Sequence, residues 1–188
     1  MSLIELAKNL KPRTDKYDLG YINEFYEKLF HSRRSTVENL LEIGVHQGAS
    51  ILLWKEYFYK AKILGVDIKE CLSIKNQDRI NHIVGNAYSV EFCNQFEDKS
   101  FDIIIDDGPH TFESMVFFLS NYIKKVKSGG LLILEDIIDP IWTPKLISLI
   151  DPNIGSITVH NMGAKILDQQ LKKYWEKNGL DVVVIEMY

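Results

Sequence analysis

The residues best suited to chemistry are carboxylates and histidines that recur wherever an apolar run of the chain ends. The first run closes in Glu42-Ile43-Gly44-Val45-His46-Gln47-Gly48, the second in Asp67, and the third in Gly85-Asn86-Ala87. The fourth ends in Asp106-Asp107-Gly108-Pro109-His110 and the fifth in Glu135-Asp136. Asp107, Glu135 and Asp136 offer hard oxygen donors of the kind magnesium takes, with positions left for water and substrate. His110, on the same loop as Asp107, could remove a proton from an aliphatic hydroxyl whose pKa a metal had lowered. General-base help of this kind is typically worth roughly 10²- to 10⁴-fold. The competing reading is plain: solvated strand-end acids, helix caps and an ordinary helix-start histidine. Asp106 is expected to face away from Asp107, since adjacent strand residues alternate sides, and to order the loop.

The loop E-x-G-x-x-x-G from Glu42 to Gly48 has glycines where a chain must turn tightly and a ligand must approach backbone, with a helix start directly behind. It departs from G-x-G-x-x-G because His46 stands two places after Gly44, which lowers the case for a nicotinamide dinucleotide and leaves a dehydrogenase as a third choice. Asp67 follows about 20 residues on, where an acid can accept hydrogen bonds from two ribose hydroxyls. A nucleoside-containing cofactor satisfies both features.

These loops need elements to hold them. Val37 to Gly44 reads as a buried strand, Ala49 to Tyr59 as a helix, and AKILGVD as a second strand. INHIVGN is a third strand and VEFCNQF a short helix, before FDIIIDDG, whose unbroken apolar centre requires cover on both faces. A helix follows with Met115, Leu119, Tyr122 and Val126 along one face; Gly129 and Gly130 are expected to stop it, and LLILED to begin a fifth strand. Alternation of this kind predicts a doubly wound α/β fold in three layers, with a mostly parallel sheet. The tail reads as a helix from Pro144 to Ile150, a strand at SITVH, a helix beginning at Asp168 and a final strand DVVVIEMY, for seven strands with the last antiparallel. One domain is expected over 1–188, with a helical segment at 1–36, a cofactor-binding core at 37–136 and a completion of the sheet at 137–188.

The chain of 188 residues is 46% hydrophobic, enough for one sizeable core and against disorder, fibres or repeats. A net charge of −4 supplies no field for a polyanion. The lysines at 124, 125 and 127 are read as the solvated end of a helix. Nucleic acid is therefore not expected. Two cysteines, Cys71 and Cys93, suit neither a disulfide framework nor a zinc site. No signal-peptide core and no membrane-spanning run is read, so a cytoplasmic location is expected, and a homo-oligomer is possible.

From Val37 to Asp136 the chain resembles the class I S-adenosylmethionine-dependent methyltransferases. The resemblance rests on the E-x-G-x-x-x-G loop, the acid at Asp67 and the G-N-A segment. It implies that Gly44 and Gly48 lie along the methionine part of the cofactor, Asp67 holds the ribose, and Asn86 with Ala87 flanks the adenine. Glu42, His46, Ser50, Ile68 and Asp106 are counted with the same cofactor site. Asn86 replaces the aspartate often found in its position. IIIDDGPHT followed by SGGLLILEDIIDPIWTP resembles, more narrowly, the metal-dependent sugar O-methyltransferases of macrolide biosynthesis, the mycinamicin type. That implies a magnesium ion among Asp107, Glu135 and Asp136, His110 as general base, and a saccharide or other small-molecule acceptor. Pro109 replaces the serine usual in that motif, and the long amino-terminal domain of the larger relatives is absent, so the acceptor does not transfer with the motif. The N-P-P-Y motif of nucleic-acid amino-methylating enzymes is missing from the fourth strand. Trp142 could line an acceptor mouth or simply pack. Thr14-Asp15-Lys16-Tyr17 resembles a segment that closes over the cofactor in related enzymes, although a solvated turn is the favoured reading. His31, His82 and His160 are assigned to surface or structure. The alternatives are a metal-independent methyltransferase and a non-catalytic module that binds the cofactor.

Overall fold

The structure, a computed structural model, describes residues 1–163 and 180–188. The chain opens with α1 (Leu3–Asn9), the one-turn α2 (Asp15–Asp18), and a π-helical turn at Ile22–Tyr26 that runs into α3 (Glu27–Phe30). The core follows as β1 (Asn39–Ile43), α4 (Ala49–Tyr57), β2 (Lys62–Asp67), β3 (Ile80–Val84), α5 (Val90–Cys93) and β4 (Phe101–Asp106). Then come α6 (Phe112–Tyr122), β5 (Val126–Ile137), α7 (Trp142–Ile147), β6 (Gly155–Asn161) and β7 (Asp181–Met187). The helix expected from Asp168 lies outside the described residues.

The strands make one sheet in the order β3-β2-β1-β4-β5-β7-β6. The first five pair in parallel, and β7 runs antiparallel to both β5 and β6. The doubly wound fold with a reversed last strand is therefore as the sequence predicts. Alternation along the strands builds the three layers. Leu40, Ile63, Ile103 and Ile133 face a core shared with α1, α4 and the aromatic residues Tyr21 to Phe30, whereas Leu41, Ile104, Leu132 and Val183 face α5, α6 and α7. Because β1 pairs with β2 on one side and β4 on the other, the crossovers diverge between β1 and β4. In open α/β sheets this switch point is where a crevice opens beyond the carboxyl ends of the strands.

Two expectations need correction. β5 begins at Val126, ahead of the glycine pair, so Val126 belongs to a strand. Helix α6 ends at Tyr122 through a tighter turn, Ile123–Lys125. Gly129 and Gly130 instead lie in a bulge where Phe101 pairs with Val126 but Ile103 pairs with Leu131, and Gly129 takes the left-handed conformation (φ +74°) such a bulge needs. Lys125 is also not solvated: it is buried, with its ammonium 2.6 Å from the Phe96 carbonyl and 2.7 Å from Asp98.

Candidate functional site

A cavity of about 850 Å³ opens at the carboxyl ends of the strands. That is within the roughly 300–1,000 Å³ typical of small-molecule sites. The turn after β1 forms its floor. Gly44 sits at φ +92°, and a Cβ there would lie 1.9 Å from the Asp107 carbonyl oxygen, so only glycine lets the ends of β1 and β4 approach this closely. Asp67, at the end of β2, braces the same turn: Oδ2 accepts from the Val45 and His46 amides at 2.8 and 3.0 Å, and Oδ1 from Lys69 at 3.0 Å. Burial opposes its charge, but the backbone donors win and hold the carboxyl below its usual range. With Asp67 expected from the resemblance to accept from ribose and seen to brace the turn, Asp67→Ala should weaken S-adenosylhomocysteine binding at least about tenfold. Calorimetry reads this directly, and unchanged affinity would remove Asp67 from the site.

Gly44, His46, Ser50, Asp67, Ile68, Asn86 and Ala87 all line the cavity. Ile68, in the cavity lining, is 71% exposed. Glu42, Gly48 and Asp106, counted with them from sequence, are placed elsewhere. Glu42 is fully buried and accepts from the Trp54 indole at 2.7 Å. Gly48 faces Ile74 and Ser73, where a Cβ would fall 2.5 and 2.8 Å away. Asp106 is buried beneath the cavity, accepting from the Tyr88 hydroxyl and the Gly108 amide, and burial lifts its pKa to about 7. It orders the loop after β4, as the alternation of strand side chains implies.

The far wall of the cavity carries Asp107, Gly108, Pro109 and His110. His110 Nε2 lies 3.6 Å from Asp107 Oδ1 and 3.8 Å from Asp136 Oδ2. Donor atoms of these three side chains lie within 4.8 Å of one another, close enough to hold one ion. His46, His110 and Asp136 all have positive φ (47°, 52° and 52°). Left-handed backbone at non-glycine residues costs energy and gathers where a site demands particular directions.

Glu135 stands outside that group. Its carboxylate is 2% exposed, 2.5 Å from the Lys16 ammonium on one side and hydrogen-bonded to the Tyr26 hydroxyl on the other. Lys16 also reaches Asp107 Oδ2 at 2.6 Å, and the Tyr21 hydroxyl donates to Asp136. The favoured reading of Thr14 to Tyr17 as a solvated turn is therefore overturned: Thr14 caps α2 by accepting from the Lys16 amide and is buried, and Lys16 is 3% exposed. Burial works against the ammonium charge, but Asp107, Glu135 and Glu42 outweigh it and raise its pKa well above the usual value. Arg13, Asp15 and Asp18 meanwhile wall the cavity, so the segment does lie over it. Tyr21, Tyr26 and Tyr88 are missed by sequence reading, which names Lys16 only within the Thr14 to Tyr17 segment; the Thr14 cap ahead of Lys16, with Tyr21 and Tyr26 following, is the available signal. Trp142 packs on Phe112, ring centres 5.6 Å apart.

Residues 41–137 match the family model described as a methyltransferase domain. Mycinamicin VI 2''-O-methyltransferase of Micromonospora griseorubida is 30% identical over 66% of this chain and 33% of its own. Demethylmacrocin O-methyltransferase of Streptomyces fradiae is 28% identical over 80% of this chain and 40% of its own. The chain thus spans 33–40% of the length of these curated relatives. Among solved structures, the MycE methyltransferase of the mycinamycin pathway, in complex with Mg and SAH, superposes with a TM-score of 0.74 at 23% identity, covering 100% of this chain and 54% of that one. With more than half of its residues matched by the family model, and with the glycine turn and the acid of β2 at the switch point, the chain belongs to the methyltransferase-domain family.

Proposed function

We propose that the protein is an S-adenosylmethionine-dependent O-methyltransferase acting on a hydroxyl of a saccharide or other small molecule. The observation that carries the reading is a single cavity that has Gly44, Asp67 and Asn86 on one side and Asp107 with His110 on the other. A donor bound along the first side would present its methyl sulfonium toward the second. His110 would take the acceptor proton as the acceptor oxygen forms a bond to the methyl carbon; the carbon–sulfur bond breaks, and its electron pair stays on sulfur to give S-adenosylhomocysteine. Holding both reactants in one cavity supplies a further large share of the rate.

The donor set also suits magnesium. Asp107 and Asp136 are hard anionic ligands on one face, and magnesium is commonly held by one or two carboxylates while keeping several waters. An ion bound there would lower the pKa of an acceptor hydroxyl that touched it. The relatives named above methylate, by their names, mycinamicin VI and demethylmacrocin, and MycE was solved with Mg and SAH, which supports the cofactor and the acceptor class proposed.

The test is a methyl-transfer screen over sugars, glycosides and phenols with magnesium, run in parallel with calorimetry of S-adenosylhomocysteine against NAD. Binding of S-adenosylhomocysteine, together with turnover of a hydroxyl acceptor that is lost in excess EDTA and restored by magnesium, is the expected result. Turnover undiminished by EDTA would leave a metal-independent enzyme in which the acids orient the acceptor. Binding without turnover of any acceptor would leave a cofactor-binding module.

A further inference from the structure

We propose that Asn86 reads the base of the cofactor as a hydrogen-bond donor to a purine ring nitrogen, which leaves the protein indifferent to the exocyclic 6-amino group. The inference rests on the cofactor reading given above. The sheet order β3-β2-β1-β4 sets where the base lies. With the sulfonium toward the loop after β4 and the ribose at Asp67 on the end of β2, the next strand outward is β3, and its closing turn, Gly85-Asn86-Ala87, lines the same cavity. A base carried beyond its ribose meets that turn.

The acceptors of the turn are already engaged by the protein. The Tyr88 amide donates to Asn86 Oδ1 at 2.9 Å, the Ser89 hydroxyl to the Asn86 carbonyl at 3.3 Å, and the Tyr122 hydroxyl to the Ala87 carbonyl at 2.8 Å. Glu70, a carboxylate on the same lining, is paired with Lys75 at 2.8 Å, and the Tyr88 hydroxyl is given to Asp106. A backbone N–H can only donate, so the Tyr88 amide fixes which end of the Asn86 carboxamide is oxygen and leaves Nδ2 as the other end. Asn86 is exposed, and none of the described residues accepts from Nδ2. The free group of this side chain is therefore a donor. Adenine can offer it a ring nitrogen, an acceptor, whereas the 6-amino group is itself a donor and finds no partner in it. Asn86 is thus a specificity-determining residue.

The probes are S-adenosylhomocysteine and three analogues, lacking the 6-amino group or with carbon in place of N1 or of N7, titrated calorimetrically into the full chain. Loss of the amino group should weaken binding less than about threefold, and one of the two ring-nitrogen replacements should weaken it more, by about three- to tenfold, the usual share of a neutral hydrogen bond. Asn86→Asp keeps an oxygen for the Tyr88 amide, so the turn holds, and exchanges the donor for a charged acceptor. In that variant the pattern should reverse: the amino group should become worth about tenfold or more, and the ring nitrogen nothing. An amino-group loss in the unaltered protein that equals or exceeds both ring-nitrogen losses overturns the inference and leaves the cofactor reading standing, as does a pattern that Asn86→Asp does not change. Absence of S-adenosylhomocysteine binding by the unaltered protein overturns both.

Discussion

Asp107→Asn should lower kcat/KM at least about 10³-fold while S-adenosylhomocysteine affinity stays within about threefold of the unaltered protein. Asparagine has the shape of aspartate and keeps an oxygen that can accept from Lys16, so the buried contact at 2.6 Å has a replacement and the fold should hold. What it removes is one of the two carboxylate charges beside His110. A bound ion would contribute several kcal/mol as a Lewis acid, and its loss, at about 1.4 kcal/mol per tenfold, sets the size of the expected effect. The cofactor is spared because its proposed ribose partner is Asp67 at the end of β2, a different strand. Asp67→Ala is the control. It should lose cofactor affinity first, and equal loss in both variants would refute the separation of cofactor and acceptor sides. Calorimetry on the two proteins, with a Michaelis analysis of each, distinguishes the outcomes.

How much of this was legible in the sequence depends on what each feature requires of its neighbours. Strands such as β4, with Ile103, Ile104 and Ile105 all buried, declare themselves because a run covered on both faces must be apolar throughout. Their ends are legible too, because the polar residues that close such a run fall at the rim of the sheet or one position short of it. The positions of Asp67, Asp107 and Asp136 near strand ends are therefore legible in the sequence. Side-chain direction at a rim residue is another matter. Glu135 and Asp136 are neighbours, yet one is sealed against Tyr26 and Lys16 and the other faces His110, and the φ of 52° at Asp136 that separates them has no local sequence signature. Lys16 was obscured by a different cause. A lysine in a charged, proline-containing stretch ordinarily belongs to solvent; its burial follows from three carboxylates, at 42, 107 and 135, brought together at the ends of β1, β4 and β5. The glycine pair at 129 and 130 misled in the same way, since glycine stops a helix and permits a bulge with equal ease, and only the pairing with β4 decides between them.

His110→Asn should reduce kcat by roughly 10²- to 10⁴-fold, the usual share of a general base, with S-adenosylhomocysteine still bound. The choice of asparagine follows from the backbone. His110 sits at φ 52°, a conformation that asparagine tolerates better than other side chains, so the loop after β4 should keep its path and Asp107 its position. Alanine would confound the loss of the imidazole with strain. A proton acceptor is needed here because the neighbouring acids are already engaged: Asp107 Oδ2 is held by Lys16, Asp136 Oδ1 accepts from Tyr21, and Glu135 is shut away behind Tyr26. In the proposed reaction His110 Nε2, which lines the cavity 3.6 Å from Asp107 Oδ1 and 3.8 Å from Asp136 Oδ2, would receive the acceptor proton, and the two carboxylates would balance the resulting positive charge. Measurement of kcat for the variant across hydroxyl acceptors of graded acidity checks the role. The loss should shrink as the acceptor becomes more acidic, since a hydroxyl already close to ionisation needs less help. An equal loss with every acceptor would instead make His110 a group that orients substrate and takes no proton.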